Sequence, residues 1–207
     1  MSQTSGRYTY YPGCSIQHSA HAYGVSMERV NEVLGLTFQE VEDWNCCGAT
    51  EYFSVNALPA YSLVARNLSL AAQQDSKELV APCSACFLNL YKTDHHMAAE
   101  PQLNAQVNQA LAAGGLHYDP GSVRIRHLLD VIVEDVGFEK VAEKVQVPLQ
   151  GLRVAPYYGC LIVRPFSEGN PEYPMHLDRL LEALGATVVD FPLKAHCCGG
   201  HMTQISE

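Results

Sequence analysis

Eight cysteines lie along this chain in two runs that begin alike. In the first run Cys14 is followed after 31 residues by the adjacent Cys46 and Cys47, then after 35 more by Cys83 and, two residues on, by Cys86. In the second run Cys160 is followed after 36 residues by Cys197 and Cys198. The neighbourhoods repeat as well. Tyr11-Pro12-Gly13-Cys14 corresponds to Tyr157-Tyr158-Gly159-Cys160, and Leu34-Gly35 through Cys46-Cys47-Gly48 corresponds to Leu184-Gly185 through Cys197-Cys198-Gly199, with Leu-to-Cys intervals of 12 and 13 residues. Such self-similarity restricts the chain to a duplicated supersecondary unit. The second run has no counterpart of Cys83 and Cys86, and Glu207 stands nine residues after Cys198.

The hydrophobic pattern says what that unit is. Residues 7–11 read as a buried strand, residues 20–36 carry apolar positions at helical spacing up to Gly35, and residues 37–41 read as a second strand. A strand, a helix and a strand at this spacing form a parallel pair. A helix with Pro59 in its first turn follows at 58–72, then a strand at 78–81 stopped by Pro82, then a helix at 87–97. Residues 98–122 mix helix and connector, broken by Gly114, Gly115, Pro120 and Gly121. Helices are expected at 124–134 and 138–144, a strand at 152–157, a loop at 165–174, a helix at 175–184 and a strand at 187–191. The expectation is an α/β fold of two pseudo-repeated Rossmann-like modules with parallel sheets, cysteines at the carboxyl ends of strands, and an incomplete second module. Residues 1–122 form the first module; residues 123–207 form a helical connector and the truncated second one.

Composition narrows the chemistry. The chain has 207 residues, 47% of them hydrophobic, enough for a buried core. A formal charge of −9 removes the basic footprint that nucleic acid requires. Apolar runs such as those around Val131 to Val133 fall far short of a membrane span, and the first residues carry no basic segment followed by an apolar run. The chain reads as cytoplasmic, where cysteines serve metals, iron–sulfur clusters or thiol redox chemistry rather than structural disulfides. Thiolates gathered at the carboxyl edge of a parallel sheet select zinc or iron–sulfur. Cys83 and Cys86 sit where a helix begins, so its amide groups favour thiolates and a negative cluster. For the first five cysteines a structural zinc site using four thiolates is the alternative. Cys83 and Cys86 alone would also suit a thioredoxin-like pair, and the second set would also suit a packing cluster of buried thiols.

The pattern C-x31-CC-x35-C-x2-C, with Tyr10-Tyr11-Pro12-Gly13-Cys14, Trp44-Asn45-Cys46-Cys47-Gly48-Ala49 and Pro82-Cys83-Ser84-Ala85-Cys86, resembles the CCG-domain proteins typified by the B-type subunits of heterodisulfide reductase. The resemblance implies that Cys14, Cys46, Cys47, Cys83 and Cys86 cradle a non-cubane [4Fe-4S] cluster, with Cys46 and Cys47 as the catalytic pair. It implies that Cys160, Cys197 and Cys198 match the ligands of a second cluster, to be completed by His196, His201 or a partner chain, or left empty. It further implies electron exchange with an iron–sulfur partner of the C type and a flavin-bearing partner of the A type, and a disulfide, thiol or lipoate-bound sulfur substrate. B-type subunits of sulfur-oxidising heterodisulfide reductase-like complexes are similar too. The competing expectation is a non-catalytic subunit, stabilised by zinc or a cluster, that serves as scaffold or electron relay.

Other residues carry weaker signals. His18 and His21 would donate protons beside Cys14 or simply lie on the approach to a helix, and Arg164 would hold an anionic substrate group or stay an exposed loop arginine. His95 and His96 complement a helix dipole, and Trp44 is expected as a lid that excludes water. No G-x-G-x-x-G or Walker-type loop occurs, so flavin would belong to a partner.

Overall fold

Parallel strands covered on both faces need apolar residues on both faces, and the computed structural model puts them there. It describes residues 7–49, 51–164 and 170–200. The chain divides into two units, Met1–His127 and Leu128–Glu207. In the first, Arg7–Tyr10 (β1) buries Tyr8, Thr9 and Tyr10 in succession. His21–Leu34 (α1) follows, turning Gly24, Met27, Asn31 and Leu34 inward. It ends at Gly35, whose φ of +72° lets the Gly35 and Leu36 N–H groups donate to the Glu32 and Asn31 carbonyls. Thr37–Glu40 (β2) comes next, an edge strand with mostly exposed residues.

Glu51–Val55 (α2) and Ala57–Ala72 (α3) lead to Glu78–Ala81 (β3), where Leu79, Val80 and Ala81 are buried. Ser84–Ala99 (α4) and Pro101–Ala112 (α5) lead to Arg124–His127 (β4). All pairings are parallel, and the strand order is β2-β1-β3-β4. Chain order therefore reverses direction between β1 and β3, the switch point at which open α/β sheets leave a crevice beyond the strand ends. The core packs Val64, Leu68, Leu90, Met97 and Val107 from the helices around Leu79 and Ile125.

Residues 124–134, expected as helix, are the main correction: Arg124–His127 is a strand and joins β3 in register from Glu78↔Arg124 to Ala81↔His127. Polar letters hid it. Arg126 is only 5% exposed because its guanidinium reaches the Glu78 carboxylate at 3.4 Å, and Arg124 reaches the same group at 3.6 Å. His127 is buried, its ring edge-on to Phe87 at 5.8 Å and hydrogen-bonded to the Pro82 backbone.

The second unit opens with Leu128–Asp130 (α6), which continues as a π-helical stretch, Val131–Val136, and then Phe138–Lys144 (α7), the helix expected at those residues. Arg153–Val154 (β5) pairs in parallel with Thr187–Val188 (β6), separated by His176–Ala183 (α8). Both strands are shorter than the pattern implied. After Val154 the chain turns, and the Tyr158 and Gly159 N–H groups both donate to the Lys194 carbonyl at 2.8 and 3.1 Å. Of the expected loop at 165–174, residues 165–169 lie outside those described; residues 170–174 are irregular.

A buried ion pair ties this unit together. Lys194 Nζ lies 2.9 Å from Asp178 Oδ1, with both side chains nearly inaccessible, and 3.8 Å from the centre of the Tyr173 ring. Tyr158 donates its hydroxyl proton to Asp178 Oδ2 at 2.6 Å. Removing one partner strands the other charge, so Asp178→Ala should lower unfolding stability by about 3 kcal/mol in urea titrations, while Asp178→Leu with Lys194→Met should lower it far less.

His127 makes stability depend on pH. Burial holds its imidazole neutral and pushes its pKa down to about 4, against an ordinary value of 6.5. The unfolded chain then binds the extra proton, so this contribution is complete above pH 6.5 and is lost as the pH falls toward 4, by about 3 kcal/mol in all. Urea midpoints measured from pH 7 to pH 4 should fall more steeply for the wild type than for His127→Leu; parallel curves would contradict the assignment.

Candidate metal centre

Each of the first five cysteines stands just beyond the carboxyl end of a strand. Cys14 follows β1, Cys46 and Cys47 follow β2, and Cys83 and Cys86 follow β3. Since β1 and β3 flank the switch point, the crevice between them is lined from both sides by thiols. Cys14 Sγ lies 3.5 Å from Cys46 Sγ, and Cys47 Sγ lies 3.5 Å from Cys86 Sγ. Cys83 hydrogen-bonds with Cys86. Among the described residues no three or more Cys, His, Asp or Glu side chains surround one single-ion position; Cys14 meets Cys46, and Cys86 meets both Cys47 and Cys83.

Local backbone chemistry makes this approach happen. Gly13 has a φ of +75°, and a Cβ there would lie 2.8 Å from Cys86 Sγ, so any side chain would push the β1 turn off the first turn of α4. The loop bearing Cys46 and Cys47 carries non-glycine residues at positive φ on either side, Asp43 and Ala49. Such strain persists only where the surroundings fix it. Here Arg66 binds the Asp43 carboxylate and carbonyl, Asn67 exchanges hydrogen bonds with the Asn45 backbone at 2.9 Å on each side, and Asn89 donates to the Cys47 and Ala49 carbonyls. Tyr11, wholly buried, donates its hydroxyl to the Asn45 carbonyl at 2.6 Å.

The five thiols divide by exposure. Cys47 and Cys86 are buried, Cys83 is half-buried, and Cys14 and Cys46 are exposed. Their acidities divide as well. A hydrogen bond from the Cys86 thiol, helped by the Cys86 and Ala85 backbone N–H groups, brings Cys83 down to about 6 against burial. Contact with the Cys86 thiol, together with the Ala49 N–H and the Asn89 amide, brings Cys47 down to about 7. Cys86, in contact with both, is held firmly protonated. Burial first, then its contact with Cys14, pushes Cys46 up to about 11.

Thiols drawn toward the thiolate form, a glycine turn with no room for a Cβ, and N–H groups at the start of α4 fit a soft, negatively charged metal group. Five sulfur donors exceed the four of a tetrahedral zinc site.

The other expected residues fall out as follows. Trp44 packs edge-on against Tyr11 at 5.4 Å between ring centres and donates its indole N–H to Glu40 at 2.8 Å. It stands beside an open cleft of about 530 Å³ lined also by Gln17, Glu40, Val41, Glu42 and Asp43. His18 and His21 are exposed, Arg164 reaches Glu172 at 2.5 Å, and His96 pairs with Glu100 at 3.4 Å. In the second unit Cys160 is half-buried and hydrogen-bonded with Cys197, and Cys197 and Cys198 are exposed. The Gly199 and Gly200 N–H groups donate to the Cys197 and Cys198 sulfurs at 3.4 Å each. His201 lies outside the described residues. Tyr11, Asn67 and Asn89 gave no sign of their role in the sequence, since an asparagine on a helix and a tyrosine at a strand end carry no signal of what they bind.

The metal-free chain should show the division of acidities. With limiting iodoacetamide at pH 7, Cys83 should be alkylated before Cys46 despite being less exposed, and its rate should fall about tenfold at pH 5. Peptide mass spectrometry would read both; Cys46 reacting first would contradict the thiolate assignment.

Comparison with known proteins follows the same outline. The model of the CCG cysteine-rich domain matches residues 8–91 and 154–207, one segment for each cysteine set. Over 203 residues, 97% of this chain, the sequence is 34% identical to the 8-methylmenaquinol:fumarate reductase membrane anchor subunit of Wolinella succinogenes, covering 69% of that protein. It is 31% identical to a protein of Archaeoglobus profundus that is like the B-type subunits of heterodisulfide reductase, over 93% of this chain and 66% of that protein. A crystal structure of a hypothetical protein from Helicobacter pylori has the same fold, with a TM-score of 0.70 at 14% identity, over 91% of this chain and 33% of that one. Among the described residues no helix is long and apolar enough to cross a membrane. With both cysteine sets matched and the strands carrying them in parallel register, the chain belongs to the CCG cysteine-rich domain family.

Proposed function

We propose that this chain is a cytoplasmic iron–sulfur redox subunit of a heterodisulfide reductase-like complex, with Cys14, Cys46, Cys47, Cys83 and Cys86 holding a non-cubane [4Fe-4S] cluster. The reading is supported above all by the convergence of these five thiols on the switch-point crevice. When bound, such a cluster supplies one-electron chemistry and an iron open to a sulfur ligand.

The chain's own residues set the conditions for it. Cys47, Cys83 and Cys86, the less exposed thiols, would hold the group, and the α4 amide groups would offset its negative charge. Cys14 and Cys46 form the open side, where a disulfide, thiol or lipoate-bound sulfur substrate would approach. The adjacent Cys46 and Cys47, spanning exposed and buried sides, are the reactive pair. Tyr11, wholly buried and packed edge-on against Trp44, backs the Cys46 loop. Electrons would pass to or from an iron–sulfur partner of the C type and a flavin-bearing partner of the A type. Cys160, Cys197 and Cys198 would serve a second centre of the same kind.

One observation favours a second reading, a non-catalytic scaffold or electron relay. The Wolinella relative bears the name of a fumarate reductase subunit, which mentions a quinol and fumarate but no sulfur substrate. Anaerobic purification followed by iron, sulfide and zinc analysis should give about four irons per chain if one set is filled and about eight if both are. EPR after oxidation should respond to added thiol for a substrate-converting centre and stay unchanged for a relay. Cys47→Ser should remove the thiol-dependent signal. Zinc without iron would end the redox reading.

A further inference from the structure

The two cysteine sets share a contact that the cysteines themselves do not make. Three residues before the lone cysteine of each set stands a tyrosine, Tyr11 before Cys14 and Tyr157 before Cys160. Tyr11 donates its hydroxyl to the carbonyl of Asn45, the residue just before Cys46. Tyr157 donates its hydroxyl to the carbonyl of His196, the residue just before Cys197. Both bonds are 2.6 Å long. Each joins the turn that ends in the lone cysteine to the loop that opens on the cysteine pair. The lone thiol then meets the first thiol of its pair in both sets, Cys14 with Cys46 and Cys160 with Cys197.

The surroundings of the two phenols differ, which separates the bond from general core packing. Tyr11 is wholly buried and backed by Trp44 and Asn67. Tyr157 is 44% exposed, and its ring neighbour is Phe191, 6.2 Å away between centres. A core residue keeps its contacts because nothing else fits. A half-exposed phenol offered water on one side still donates to one particular carbonyl. The flanking backbone repeats too, with Gly13 and Gly159 at φ +75° and +69°, and Gly48 and Gly199 at +75° and +76°.

We infer that Tyr11 and Tyr157 are positioning residues, each hydroxyl holding the lone cysteine of its set against the first cysteine of the pair in the chain before any metal arrives. The second set is then assembled by the same rule as the first. This goes beyond the proposed function and stands whether the bound group is iron–sulfur, zinc or none.

The test uses the full, reduced, metal-free chain under argon with a limiting amount of diamide, a diazenedicarboxamide. Two thiols lose two protons and two electrons to it, one S–S bond forms, and the reagent becomes a hydrazine. Peptide mass spectrometry follows the Cys14–Cys46 and Cys160–Cys197 disulfides separately. Tyr157→Phe keeps the ring and removes the hydroxyl; it should slow the Cys160–Cys197 disulfide about fivefold, the worth of one hydrogen bond, and leave Cys14–Cys46 unchanged. Tyr11→Phe should do the reverse. If Tyr11→Phe loosens the first unit, the Tyr157→Phe arm decides alone. Wild-type rates in Tyr157→Phe, or equal slowing of both disulfides, would overturn the inference.

Discussion

Reversal of strand order between β1 and β3 is the constraint from which the site follows. Neighbouring strands whose crossovers leave in opposite directions keep the space above their carboxyl ends free of connecting chain. Into that space the sequence sends Cys14 from one side and Cys83 and Cys86 from the other, with Cys46 and Cys47 arriving from the adjacent edge strand. The approach closes because position 13 has no side chain; a Cβ there would stand 2.8 Å from the Cys86 sulfur, too close for both. The arrangement is therefore a property of the sheet first and of the cysteines second.

Thiols packed this closely settle their protons unequally. Cys86 keeps its proton, while Cys47 and Cys83, both in contact with it, are drawn toward the thiolate form. The sulfurs drawn toward the thiolate form are among the less exposed ones, whereas Cys14 and Cys46 are exposed. That polarity, anchoring within and access without, is what an electron-transferring or substrate-binding subunit needs. It is also why the two functional readings share one site and differ only in what reaches its open side.

Much of this was legible in the residues. The β1–α1–β2 unit announced itself through the apolar runs and Gly35, and α7 falls at the expected residues because its pattern is interrupted by nothing. The grouping of thiols followed from Pro82, from the glycines beside the cysteines and from the repeat. β4 was not legible, since Arg126 and His127 look like surface residues until Glu78 and Phe87 are seen beside them. β5 and β6 were overestimated because the turn bonded to the Lys194 carbonyl cuts the ladder short, a long-range fact that no local pattern holds. The supporting shell of Asn67, Asn89 and the two tyrosine hydroxyls was invisible for the same reason: hydrogen bonds to distant carbonyls leave no spacing to read.

The central claim, that five sulfurs of the first unit enclose one iron–sulfur centre, has a direct test. Crystals grown without oxygen and measured on both sides of the iron K-edge should show a compact group of anomalous peaks beyond the ends of β1 and β3, within bonding distance of Cys14, Cys46, Cys47, Cys83 and Cys86. A single peak at the zinc edge held by four of these sulfurs, or disulfides among them with no metal between, would contradict it.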